Sequence, residues 1–195
     1  LSSALWHIKT IQFFLEESEM DSVRKVIEQY NTDANLIIPR IWLGNFKASQ
    51  DVMFLKTNQI SVVFNCTKDL PFQLAVKTQM YRLPVDDNLD PVEIRNMALW
   101  SYEAVQKLIA EYNTGKHILV HCAAGMQRSA ALVAMFLIAH YRTHFVDAAV
   151  YIKKRRPIAF FPGANFGAAI KEFDESFHRD IIPRTGQLPG AIPEW

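Results

Sequence analysis

The run His121-Cys122-Ala123-Ala124-Gly125-Met126-Gln127-Arg128-Ser129 holds the residue types that covalent phosphate chemistry needs. Five residues separate the cysteine from the arginine. Set between a buried strand and a buried helix, that spacing turns the backbone N–H groups toward a common centre, a cradle for an anion. Gly125 permits the tight curvature that a side chain would obstruct. A cysteine at the foot of such a loop lies near a helix N-terminus and an arginine, conditions that lower a thiol pKa from ~8.5 into the ~3.5–7.5 range. The resulting thiolate is a nucleophile at neutral pH. Arg128 offers a planar fork for two phosphate oxygens. The expected phosphate-binding positions are Ala123, Ala124, Gly125, Met126, Gln127 and Arg128. A lone cysteine is more often an inert buried thiol. Strand, Cys, five residues, Arg, Ser and buried helix together argue against that reading, and a pure anion-binding loop has no need of a thiol.

Thiolate attack on phosphorus expels an alkoxide or phenoxide, so a proton donor is needed opposite the nucleophile. Asp86, Asp87 and Asp90 stand together ahead of an apolar-periodic segment. Asp90 reads as a helix N-cap, with Pro91 in the first turn and Glu93 reaching back. Between Asp86 and Asp87 the residues alone do not choose, and a solvated acidic turn is the plain alternative. Ser129 either caps the following helix or addresses the sulfur. His121 is expected to order the loop by hydrogen bonding rather than to act as a base. The remaining histidines, His7 and His178 among them, show no partner spacing, and no cluster has zinc-ligand spacing.

The elements that must position these groups follow from periodicity. Leu5, Ile8, Ile11, Phe14 and Leu15 recur at helical spacing, and Ser18 with Asp21 opens a second helix. Leu36-Ile37-Ile38 and Ile41-Trp42-Leu43, ending at Gly44, read as strands, followed by a short helix from Ser49 to Leu55. Ile60 to Asn65 is a β-branched strand, and Met80 to Leu83 another. The helix opened by Asp90 should run to about Tyr112 and stop at Asn113-Thr114-Gly115. His117 to Val120 is a short apolar strand leading directly into the Cys122 loop. Ala130 to Ala139 is apolar all round, hence a buried helix. Helices over Val146–Arg155 and Asn165–Phe177 precede an irregular tail from Ile181 to Trp195. Strand–helix alternation of this kind implies an α/β fold with a central, mostly parallel sheet flanked by helices and an extra helical segment at the N-terminus. The expected organisation is a helical extension over 1–35, a catalytic domain over 36–180 and a tail over 181–195.

The chain has 195 residues, half of them apolar and 21% charged, with a formal net charge of +1. That is the profile of one soluble globular core. The balance gives no signal for nucleic-acid or membrane binding, and no apolar run reaches the ~20 residues of a membrane span. The stretch Leu1–Leu15 is broken by His7, Lys9 and Thr10 and does not read as a secretory leader. Two distant cysteines make no disulfide framework, which points to a reducing intracellular setting.

The pattern His121-Cys122-x-x-Gly125-x-x-Arg128-Ser129 resembles in full the signature of the protein-tyrosine phosphatase superfamily. Ile41-Trp42-Leu43-Gly44, Phe64-Asn65-Cys66-Thr67, Leu83-Pro84-Val85-Asp86-Asp87-Asn88, Arg156-Pro157 and Pro162-Gly163-Ala164-Asn165-Phe166 are similar to the corresponding segments of dual-specificity phosphatases. The resemblance covers roughly Ile38 to Phe177, and His121 to Gly125 look most like the loop of poxvirus-type members. It implies metal-free, two-step hydrolysis of phosphorylated protein substrates with no cofactor. Cys122 would be the nucleophile, Asp87 the acid and then the base, and Ser129 the hydroxyl that stabilises the departing thiolate. Asn165 resembles the family asparagine that buttresses the phosphate loop, although a plain helix cap fits as well. Gln127 departs from the usual serine or asparagine. Uncharged Ala123, Ala124, Met126 and Gln127 stand where phosphoinositide phosphatases often carry lysines; an RNA 5′-phosphatase or a non-catalytic phospho-binding module are further alternatives. Cys66 would be an inert thiol or a redox partner of Cys122. The wide apolar face of the first helix folds back on the domain or joins a second copy, as poxvirus-type relatives do when they dimerise.

Overall fold

The computed structural model describes residues 32–181 and 190–194. The two expected N-terminal helices, and the dimer contact read from them, lie outside the described residues. A five-stranded sheet forms the centre, in the order β1 (Ala34–Ile38), β2 (Ile41–Gly44), β5 (His117–His121), β3 (Ile60–Asn65), β4 (Gln79–Arg82). β1 runs antiparallel to β2; every other pairing is parallel. β3 and β5 are the near-continuous apolar runs expected of parallel strands covered on both faces, and nearly all their residues are buried.

Among the described residues, six α-helices surround the sheet: α1 (Phe46–Gln50), α2 (Val52–Thr57), α3 (Pro91–Asn113), α4 (Arg128–Tyr141), α5 (Phe145–Arg155) and α6 (Gly167–Ser176). α4 is buried from Arg128 to Ile138 and sits among β5, α3, α5 and α6, as its lack of a polar face demands. Among the described residues, no helix is long and apolar enough to cross a membrane.

Several boundaries differ from expectation for local reasons. The helix expected from Ser49 to Leu55 is two helices, because the Asp51 carboxylate accepts from the N–H groups of Met53 and Phe54 and starts a new helix. Asp90 caps α3 as expected, accepting from Val92 N–H at 2.9 Å. Glu93, however, does not reach back to the Asp90 N–H: its carboxylate accepts from the Asp86 N–H at 2.8 Å and meets the Lys68 ammonium at 2.6 Å. α6 begins at Gly167 rather than Asn165, with Phe166 at its N-cap, and ends in a π turn over Phe177–Ile181. Residues 190–194 have no regular structure; the Gly190 N–H donates to the Tyr141 carbonyl at 3.1 Å.

In the registers that pair Gly44 and Asn65 with His121, and Asn65 with Arg82, the carboxyl ends of the parallel strands coincide. The crevice beyond such ends is where α/β sheets place ligands. The loops after β5 and β4 both open there.

Candidate active site

β5 delivers Cys122 into the core, 1% exposed. Its sulfur accepts hydrogen bonds from the Gly125 N–H and the Ser129 hydroxyl, each at 3.2 Å. Burial works against ionisation of the thiol. The Arg128 guanidinium and the two Ser129 donors outweigh it and hold Cys122 below the usual thiol range, against a smaller opposing effect of the Asp87 carboxylate. Ser129 thus spends its hydroxyl on the sulfur; α4 starts without a side-chain cap.

The loop from Ala123 to Gln127 has its carbonyls turned outward, each onto a donor. Ala123 O accepts from Phe46 N–H at 3.1 Å, Met126 O from Phe160 N–H at 2.8 Å, and Gln127 O from Ala131 N–H at 2.8 Å. Gly125 O and Ala124 O accept from Arg156, from Nε at 2.7 Å and Nη2 at 3.4 Å. A trans peptide plane carries its C=O and N–H on opposite sides. Outward carbonyls therefore turn the N–H groups of residues 124–128 inward, toward the space above the sulfur. Gly125 has φ +67°, and a Cβ there would lie 2.5 Å from the Gly44 carbonyl oxygen. Only glycine fits that contact.

Arg128 is 6% exposed. Its Nη1 donates to the Val85 carbonyl at 3.1 Å, which ties the guanidinium to the Asp-containing loop. Its Nε is buried without a protein acceptor. A buried donor left this way costs ~1–3 kcal/mol unless a bound group satisfies it; a phosphate oxygen is a matching acceptor.

The loop between β4 and α3 separates its two aspartates. Asp86 faces outward to Lys68, 2.9 Å away. Asp87 accepts from the Asn165 amide at 2.8 Å, and its charge is felt at Cys122. The residues alone left the pair equal and the family resemblance pointed to Asp87; the fold gives the two different surroundings.

A sequence profile of the family described as dual specificity phosphatase, catalytic domain, matches residues 41–176. The chain belongs to the dual-specificity phosphatase family. Mouse dual specificity protein phosphatase 2 is 30% identical over 122 residues, which are 63% of this chain and 37% of that protein. Tyrosine-protein phosphatase vhp-1 of Caenorhabditis elegans is 31% identical over 149 residues, 75% of this chain and 22% of that protein. The chain thus spans well under half the length of either relative. The crystal structure of human DUSP28 superposes with a TM-score of 0.68 at 21% identity, covering 75% of this chain and 96% of that one. At that identity the likeness speaks for the fold.

In this dual-specificity phosphatase domain, several residues around the loop had no signal in the sequence beyond their place in the family pattern. Arg156 is fully buried. Besides its two loop carbonyls, it donates to Thr32 O at 3.0 Å and Asn35 Oδ1 at 2.7 Å. Burial pulls its pKa down to about 10, with the Cys122 and Asp33 charges opposing, so it stays a cation at neutral pH. Glu93 fixes the Asp86 end of the acid loop; burial works against its charge, yet the Asp86 N–H and Lys68 hold its carboxyl below the usual range.

Asn165 and Gln127 keep their places at the phosphate loop, and the expectation for His121 is corrected. Asn165 does not cap α6: its side chain goes to Asp87, and it meets the phosphate loop through its own N–H, which donates to Gln127 Oε1 at 3.0 Å. The loop carbonyls of Gly125 and Ala124 are held by Arg156. The Gln127 amide points away from the cradle, donating to Phe161 O at 2.9 Å and Gly163 O at 2.8 Å. Only its backbone stays in the phosphate loop. His121 is fully buried, and neither ring nitrogen makes a hydrogen bond of ordinary geometry. Burial lowers its pKa to about 4, partly offset by the neighbouring Cys122 backbone. It is a neutral packing group whose carbonyl accepts from Cys66 N–H at 2.8 Å. Cys66 is itself buried, and burial followed by the nearby Cys122 charge raises its pKa well above the ordinary value.

Proposed function

We propose that this chain hydrolyses phosphotyrosine and phosphoserine/threonine in proteins through a cysteinyl-phosphate intermediate. The observation that carries the reading is the Cys122 sulfur, held by Gly125 N–H and Ser129 Oγ at 3.2 Å within a loop whose carbonyls all face outward. Cys122 Sγ attacks phosphorus, and the P–O bond to the substrate breaks. The leaving oxygen takes a proton from Asp87, which Asn165 orients. Arg128 accompanies the equatorial phosphate oxygens into the transition state. Asp87, now ionised, takes a proton from water, the water oxygen attacks phosphorus, and the S–P bond breaks. Ser129 stabilises the departing thiolate, and inorganic phosphate leaves. No step calls on a metal or cofactor.

A substrate with several phosphates would want further cations at the loop. Ala123, Ala124 and Met126 carry none, and the Gln127 amide is already engaged by Phe161 and Gly163. This favours a phosphoprotein over a phosphoinositide or an RNA 5′ end. Matched phosphotyrosine and phosphothreonine peptides, a phosphoinositide and a 5′-triphosphorylated RNA should be compared by kcat/KM. Both peptides should be turned over faster than the lipid or the RNA. An order-of-magnitude preference for either non-protein substrate would overturn the reading.

A further inference from the structure

The far end of α4 carries a second cluster of chemical groups that phosphate transfer does not use. α4 begins at the phosphate loop and, with 14 residues, is ~20 Å long. Beyond it, His144 precedes α5, while Asp174 lies in α6 and His178 one turn later. One carboxylate oxygen, Asp174 Oδ1, faces both imidazoles, with His144 Nδ1 at 3.3 Å and His178 Nδ1 at 2.8 Å. One ligand atom from each residue lies within 4.8 Å of those of the other two. The rings are stacked, with centroids 4.1 Å apart.

We propose that His144, Asp174 and His178 form a binding site for one divalent transition-metal ion of the zinc class. The first argument is hydrogen-bond accounting at His178. Its Nδ1 faces Asp174 Oδ1 and also the Asp174 carbonyl at 2.9 Å, while its Nε2 faces the Arg142 carbonyl at 3.3 Å. Every neighbour is an acceptor, and a neutral imidazole has a single N–H. With that proton on Nδ1, the Nε2 lone pair is left against Arg142 O; with it on Nε2, the Nδ1 lone pair is left among oxygens. His144 Nδ1 faces the same Asp174 Oδ1. A single metal ion would take both nitrogen lone pairs and the carboxylate charge together.

The second argument is geometric. Zinc binds imidazole nitrogen and carboxylate oxygen at ~2.0–2.2 Å, so ligand atoms at the corners of a tetrahedron stand roughly 3.3–3.5 Å apart. The 3.3 Å separation already matches, and the 2.8 Å one needs a small opening. The third is the surrounding shell. A backbone carbonyl on the distal nitrogen of a ligating histidine, as Arg142 O is on His178, is the usual orienting partner. Asp174 is anchored likewise, since its Oδ2 accepts from the Phe145 N–H at 3.0 Å. His144 is 59% exposed, so its ring can turn to aim Nδ1, and the fourth position is open to water. Two imidazoles and one carboxylate suit zinc, cobalt or nickel and not magnesium or calcium. The bound ion would clamp the Arg142–His144 turn to the end of α6.

Zinc also binds thiolates, so the test uses the full-length chain with Cys122→Ser. Titration with zinc chloride should show one saturable site, and His144→Ala, at an exposed position, should weaken it at least ~100-fold. Asp174→Asn, which keeps an acceptor for Phe145, should do the same. Cobalt should give the spectrum of nitrogen and oxygen ligation without a thiolate charge-transfer band. At a zinc concentration ~100 times Kd, Tm should rise by roughly 5 °C in the Cys122→Ser protein and not in the His144→Ala derivative. Absence of saturable binding, equal affinity in the His144→Ala protein, or a thiolate band would overturn the proposal and leave the cluster a proton-held ion pair.

Discussion

The phosphate loop and the acid loop face each other across one crevice but are held by different physics. Cys122, Gly125, Gln127 and Arg128 are buried, and each carbonyl from Ala123 to Gln127 is taken by a donor from another part of the fold or by α4 itself. The acid loop from Pro84 to Asp90 is tied by side chains: Glu93 and Lys68 hold Asp86, Asn165 holds Asp87, and Arg128 holds Val85. The first loop must stabilise charge at fixed points, and preorganised donors do this without reorganisation during the reaction. In the proposed reaction the second delivers one proton to leaving groups of different size, which tolerates a looser frame. The bond from Arg128 to Val85 O joins them, so the phosphate clamp also sets the height of the acid loop.

The largest effect should come from the residue that serves both loops. Arg128→Lys keeps the charge but loses the fork and the Val85 contact, and should lower kcat/KM by roughly 10²–10³. A loss below tenfold would mean that the loop amides suffice. Arg156→Met attacks the rigid loop alone. It strips donors from Gly125 O, Ala124 O and Thr32 O, and should destabilise the fold by roughly 2–4 kcal/mol, measured by urea unfolding, with a fall in kcat. Unchanged stability would show that the carbonyls find other partners.

The acid loop is probed by a pair of variants. Asp87→Asn should cut kcat about 10²-fold on poor leaving groups, and far less on activated aryl phosphates, which need no proton. Asp86→Asn only loosens an exposed link to Lys68 and should change little. Reversed phenotypes would reassign the acid. The smallest effect is one of pH. Ser129→Ala removes the hydroxyl donor and keeps the backbone N–H, so the Cys122 pKa rises. Iodoacetate labelling of Cys122 should then begin at higher pH than in the parent, and activity at acidic pH should fall by a few-fold. An unmoved labelling curve would leave Arg128 and the Ser129 backbone N–H as the causes of the depressed pKa.

The sequence was most legible where the chain reports on its own neighbourhood. The β-branched run Ile60–Asn65, the all-apolar Ala130–Ala139 and the Asp90-Pro91 helix start each reflect local spacing, and each became the element expected. The His121–Ser129 run was legible because residue types and strand–helix context coincide within nine positions. Contacts made across the chain were not. Arg156 reaches Gly125 from 31 residues away and Asn35 from 121, and nothing local distinguishes it from Arg155, which remains on the surface side beside Tyr151. The direction of the Gln127 side chain was not legible either, because spacing cannot tell which way a side chain leaves a loop. His144 stands 30 residues from Asp174, so no motif window joins it to the Asp174–His178 pair.

Trapping the intermediate tests the central claim most directly. The protein should be mixed with a ³²P-labelled phosphotyrosine peptide, quenched in denaturant within the first turnover and digested. Label should appear on the peptide containing Cys122 as an acid-stable, iodine-sensitive thiophosphate, and should be absent from Cys122→Ser. Turnover without any label on Cys122, or label on another residue, would contradict the account.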